Sequence, residues 1–145
     1  MKFFNKIIVS AVLSMLANLC AAQLQIENPW IALAPPAAGV NAAYMKFYNP
    51  QPQPQKIVGV SADCCAMTML HQMRREGDKM RMEHLDYLLV PAQSEVNLAP
   101  GGLHIMLMKP KQELQLDSKV TLVFTFADAS KQSIVLDVKK YELYK

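Results

Sequence analysis

The chain reads as an all-β domain, a sandwich or a barrel, and three features carry that reading. No long amphipathic helical period occurs after the first 22 residues. Glycine is scarce and proline frequent, at 5 and 9 in 145 residues. Apolar residues alternate with polar ones in many short runs. A chain of this length supports one hydrophobic core but not two, so a single domain is expected.

The strands are clearest near the C-terminus. In "VTLVFTF" Leu122, Phe124 and Phe126 share one face, and in "SIVLDV" Ile134, Leu136 and Val138 do the same. Joined by "ADASKQ", the two runs predict a hairpin. Earlier strands are expected at Leu24 to Glu27, Ala42 to Tyr48, Lys56 to Ser61, Met67 to Arg74, Lys79 to His84, Glu95 to Leu98 and Leu103 to Met108. Between them "NPQPQPQ", Asn49 to Gln55, reads as a loop, because its prolines have no N–H to give to a ladder. "LAPGG", Leu98 to Gly102, reads as a turn feeding the strand that follows.

Residues 1–22 read as a signal peptide: Lys2 and Lys6 begin it, the apolar run Ile7 to Leu19 is too short to span a bilayer, and Cys20-Ala21-Ala22 supplies small residues for cleavage. The domain is then expected to span residues 23–145 and to be exported. Cys20 raises the alternative of a lipid anchor, but bulky Leu19 stands where a lipobox needs a small residue, so soluble export is expected. Cleavage near Ala22 removes two of the 15 basic residues and none of the 12 acidic ones, leaving a net charge of +1. Such a balance gives no footprint for nucleic acid.

The histidines and methionines are unevenly placed. Seven of the ten methionines (Met67, Met69, Met73, Met80, Met82, Met106 and Met108) and all three histidines (His71, His84 and His104) lie between positions 67 and 108. Methionine used as a gap-filler has no reason to track histidine. Around the turn signal Glu76-Gly77-Asp78, a loop of two residues (Glu76, Gly77) or four (Arg75 to Asp78) would set His71 opposite Met82 and Met73 opposite Met80. In "GGLHIMLMKP" the period of two puts His104, Met106 and Met108 on one face and Ile105 and Leu107 on the other.

Imidazole and thioether together suit a soft ion of low charge, Cu(I) above zinc, and no carboxylate cluster invites calcium or magnesium. A single histidine or methionine on a strand is more often a packing residue. Two His/Met sets in one exported β domain favour metal binding over that reading.

The spacing His71, ten residues, Met82, twenty-one residues, His104, one residue, Met106 resembles the H-x10-M-x21-H-x-M signature of the PCuAC family of periplasmic copper chaperones. "NPW" at Asn28 to Trp30, "AAYMKFYNP" at Ala42 to Pro50 and "LAPGGLHIMLM" at Leu98 to Met108 resemble further landmarks of that family. The resemblance covers nearly the whole chain after residue 22. It implies a cupredoxin-like Greek-key β-sandwich binding one Cu(I) through His71, Met82, His104 and Met106. It also implies delivery by ligand exchange to an extracytoplasmic acceptor protein, such as a cytochrome c oxidase subunit or its assembly factor. Met73, Met80, His84 and Met108 lie outside the signature and are read as packing around the site, with Met73 and Met80 also weighed as relay ligands. The vicinal pair Cys64-Cys65 departs from the pattern expected of the family. A disulfide, free thiols, a metal site of its own and no role are all open for it.

Two other functions compete. A redox protein, either a blue-copper carrier or a thiol reductant, would need a cysteine near His104 or a C-x-x-C, and neither is present. A secreted, metal-free interaction module would leave the methionines merely packing. Enzymatic function is not expected: no G-x-S-x-G or H-E-x-x-H occurs, and the acidic residues are scattered.

Overall fold

A computed structural model describes residues 23–141. The expected signal peptide, with Cys20 and the cleavage point near Ala22, lies outside the described residues. Ten strands follow in order: β1 Gln25–Leu33, β2 Val40–Asn49, β3 Gln55–Ala62, β4 Cys65–Glu76, β5 Lys79–Leu85, β6 Leu88–Val90, β7 Ser94–Leu98, β8 Leu103–Pro110, β9 Lys119–Phe126 and β10 Lys131–Lys140. Each expected strand is present, several of them longer than the alternation alone indicated. β1 runs past "NP" because a bulge between Glu27 and Trp30 absorbs the proline, with Asn28 in the left-handed region at φ 49°. β6 has only three residues, too few for a periodic signal, yet Leu88 and Val90 are buried and it pairs with β3.

The strands form one hydrogen-bonded network in the order β5-β4-β8-β7-β2-β1-β10-β9-β3-β6, with β8 also paired to β2. All pairings are antiparallel except β1 with β10 and the single β7–β8 pair. The network folds over on itself. Phe47 of β2 meets Phe124 of β9 edge-to-face at 5.3 Å between ring centroids, although three inter-strand steps of about 4.8 Å separate them along the sheet. The two halves therefore pack as layers of a sandwich around Ile31, Phe47, Ile57, Ile105, Leu107, Leu122, Phe124, Leu136 and Val138. Leu122, Phe124 and Phe126 all point inward, as their alternation predicts, and the β9–β10 hairpin forms as expected.

The proline-rich loop after β2 is tied down by Asn49, which is fully buried. Its Nδ2 donates to the carbonyls of Gln53 at 2.8 Å and Val90 at 3.1 Å, and its Oδ1 accepts from the Gln51 N–H at 3.0 Å. One side chain thus supplies partners where the prolines cannot.

The β4–β5 hairpin differs from expectation in register. The loop is Gly77-Asp78, with glycine at its first position at φ 60°. His71 therefore pairs with His84 and Met73 with Met82, rather than His71 with Met82 and Met73 with Met80. Glycine relieves the positive φ only if it takes the first loop position, and this centres the turn one residue later than Glu76-Gly77 would. The shift moves each partner by two residues, so every side chain keeps its face.

Candidate metal centre

β4 and β5 project beyond the sandwich, and the hairpin they form has two chemically distinct faces. One carries ion pairs, Arg74 with Glu83 at 3.6 Å and Arg81 with Glu76 at 3.0 Å. The other carries Met73, Met80, Met82, His71 and His84, with Arg75 paired to Met80 beside the turn. β8 lies on the other side of β4, with His71 paired to His104, Met69 to Met106 and Met67 to Met108. Three strands therefore build one outer face in rows: Met82 and Met73; then His84, His71 and His104; then Met69 and Met106; then Met67 and Met108. Ile105, Leu107 and Leu70 alternate to the opposite side and enter the core.

Of the four residues in the signature, Met82, His104 and Met106 line a common groove of about 450 Å³, together with Met73, Gly101, Ala42 and Tyr44. His71 does not line that groove. It stands beside it, its ring centroid 5.9 Å from that of His104 and 5.6 Å from that of His84. The structure thus brings all four into one neighbourhood, and adds Met73 and His84. Met73 enters because its own register partner is Met82. Its parity with His71 was visible in the sequence, but its place beside Met82 depended on the turn.

The imidazoles are held in states suited to metal binding. His104 is buried, and its Nδ1 lies 3.0 Å from the Gly102 carbonyl oxygen. A carbonyl only accepts, so Nδ1 carries the proton and Nε2 keeps its lone pair. The same carbonyl accepts the Met73 N–H at 3.1 Å, which ties β4 to the Gly101-Gly102 turn. Gly101 makes this turn at φ 83°, a conformation other residues rarely adopt. His71 Nδ1 is buried without a hydrogen-bond partner. Burial, and then the charges of His104 and His84, push the His71 pKa below its ordinary value of 6.5, so the ring is neutral at pH 7.

An orphaned buried nitrogen in a native fold calls for an explanation, and a ligating role supplies one. Among the described residues, no group of three or more His, Cys, Asp and Glu side chains could hold a metal by itself. Beside the imidazoles, the side chains this face offers a metal are thioethers.

An aromatic wall closes one side of the groove. Trp30 packs on Tyr44 at 5.1 Å and stacks on Tyr141 at 6.3 Å between centroids. Burial, with Tyr141 adding to it, raises the Tyr44 pKa above 10.

Cys64 and Cys65 stand apart. Both are free thiols, Cys65 is in the core and Cys64 packs against it. His71 lies six residues further along β4, roughly 20 Å at strand rise. Burial pushes the Cys64 thiol up to about 12 and raises Cys65 as well, so neither offers a thiolate at neutral pH.

A β-sandwich that displays imidazoles and thioethers on an outer face is a domain built for a soft metal ion. Comparison with known proteins places it more closely. Residues 24–138 match the family described as "Putative lipoprotein LpqE-like", and the chain belongs to that family, the PCuAC family of copper chaperones. The Leifsonia xyli protein described as "Putative lipoprotein Lxx21020" is 29% identical over 119 residues, spanning 81% of this chain and 70% of its own length. The copper-bound PCuAC domain from PmoF2 superposes with a TM-score of 0.68 at 21% identity, over 81% of this chain and 93% of that one. The solution structure of CuI-DR1885 from Deinococcus radiodurans superposes at 0.66 with 28% identity, over 86% and 85% of the two chains. The fold is accordingly cupredoxin-like. No helix among the described residues is long and apolar enough to cross a membrane.

Proposed function

We propose that this protein is an exported copper chaperone that binds one Cu(I) through His71, Met82, His104 and Met106 and passes it to an extracytoplasmic acceptor, such as a cytochrome c oxidase subunit or its assembly factor. The observation that carries this reading is the state of the two central imidazoles. His104 has a free Nε2 fixed in orientation by the Gly102 carbonyl, and His71 has a buried nitrogen with no partner. Both sit beside the two thioethers of the signature. None of the four donors brings a negative charge, so the bound ion keeps a single positive charge.

Release follows from the same geometry. Met82 is about half exposed and the groove is open. Ligands of an acceptor can therefore replace Met82 and then Met106 while the imidazoles still hold the ion, so copper is never free and stays Cu(I) throughout. No bond of an organic substrate is made or broken, which makes the role non-enzymatic. A thiol-reductant role is disfavoured by the raised cysteine pKa values, and an electron-carrier role by the lack of a cysteine near His104. Export with cleavage near Ala22 is part of this proposal, and the mass of the mature N-terminus distinguishes it from a lipid anchor on Cys20.

The test is Cu(I) competition with a chromogenic chelator. Wild type is expected to retain one equivalent and Met106→Leu to hold it about tenfold or more weakly. Wild type retaining none would refute the reading.

A further inference from the structure

We infer that the outer face carries a second soft-metal site, made of sulfur alone, from Met67, Met69 and Met108 with Met106 at its border. The inference rests on the Cu(I) reading of the adjacent His/Met site and extends it along the same strands.

The observation is a methionine ladder. Met69 pairs directly with Met106, and Met67 pairs directly with Met108 in the next row. Side chains of directly paired residues leave the sheet on the same face with Cβ atoms about 4.5–5.5 Å apart, and successive rows are about 6.7 Å apart along the strands. Four flexible thioethers therefore stand within mutual reach, one row below His71 and His104.

Packing does not account for them. Their neighbours on the inner face, Leu70, Ile105 and Leu107, belong to the core, whereas none of the four methionines belongs to it or is among the partly buried residues packed against it. All four are half-buried on the outside of the sheet. A position there that needed only a strand former would be served better by a β-branched or polar residue. On β2 the positions beside Met106 and Met108 are Ala42 and Val40, which are small and uncharged. Among the residues paired in these rows none is charged, so they offer hard divalent ions no carboxylate. A d10 monovalent ion is matched by neutral sulfur.

The two sites share a border. Met106 belongs to the signature set, and its partner Met69 belongs to the lower row. An ion can therefore move between them by exchanging one thioether for another, with no change of oxidation state and no proton released. The lower site lacks imidazole and is the weaker of the two, which makes it a store or an entry point for the upper one.

The test is anaerobic titration of the mature chain with Cu(I), followed by NMR of the methionine ε-methyl groups. The first equivalent should shift Met82 and Met106. A second, held at least tenfold more weakly, should shift Met67, Met69 and Met108. The Met67→Leu, Met108→Leu double variant should lose the second equivalent and keep the first at unchanged affinity. Uptake of one equivalent only, a second one that leaves these methyls unmoved, or a double variant that still takes two would each overturn the second site while leaving the chaperone reading standing. Uptake of none would remove both.

Discussion

The carbonyl oxygen of Gly102 lies 3.0 Å from Nδ1 of His104, two residues along the same chain. Because that oxygen has no proton to give, the contact fixes the tautomer and the ring orientation together. We expect long-range 15N spectra of the metal-free protein to show His104 protonated at Nδ1 and bare at Nε2, with Nε2 moving when one equivalent of Cu(I) is added. A spectrum with the proton on Nε2 would contradict the assigned role.

His71 should titrate below 6.5, because burial and the neighbouring His104 and His84 disfavour its charged form. The folded-state pKa is depressed, so this histidine's contribution to stability is present above 6.5 and is lost as the pH falls through the lowered value. The urea midpoint should therefore drop between pH 7 and pH 5, and His71→Gln should flatten that dependence. An NMR midpoint for His71 at or above 6.5 would contradict this.

The vicinal cysteines should be inert in the folded protein. With the Cys64 thiol at about 12, reaction with a disulfide reagent at pH 8 should be at least about a hundredfold slower than for a free thiol, and should recover in urea. The Cys64→Ser, Cys65→Ser double variant should hold Cu(I) within about twofold of wild type. A clear loss of affinity would bring these residues back into the site.

Asn49→Ala should destabilise the fold by about 1–3 kcal/mol for each buried group it leaves unpaired, read as a lower urea midpoint. The carbonyls of Gln53 and Val90 lose their donor, and the Gln51 N–H loses its acceptor. Copper affinity should not change, since this loop is tied to β6 and does not line the groove.

Much of this architecture is legible in the sequence because strand parity is a local property. Leu122, Phe124 and Phe126, or His104 and Met106 against Ile105 and Leu107, declare their faces by position alone. Register is not local in the same way. It turned on whether Gly77 was the second or the first residue of its loop, and that choice decided whether Met82 or His84 stood across from His71. An error of two residues left the ligand face intact, where an error of one would have sent Met82 and the rest of that face of β5 to the charged side. Met73 and His84 read as packing around the site from sequence, and the register of the turn is what sets Met73 beside Met82 and His84 beside His71. β6 escaped notice because three residues carry no period, and its identity depends on β3 lying beside it. The spacing signature pointed to four residues that the fold draws together, but it was silent on the lower methionine rows, which become a unit only once β4 and β8 are paired.

Among the described residues β5 is the last strand of the network, bonded to β4 on one side and to no strand on the other. β4 and β8 are each held on both sides. Of the four proposed ligands, His71, His104 and Met106 thus form a fixed jaw, and Met82 rides on a hinged one. Deuterium should enter the amides of β5 before those of β4 or β8, and an ion clasped across the hairpin should slow that entry. Lys79, Arg81 and Glu83 along the same edge strand guard the clasp against pairing with other sheets, so the strand freest to open carries its own protection.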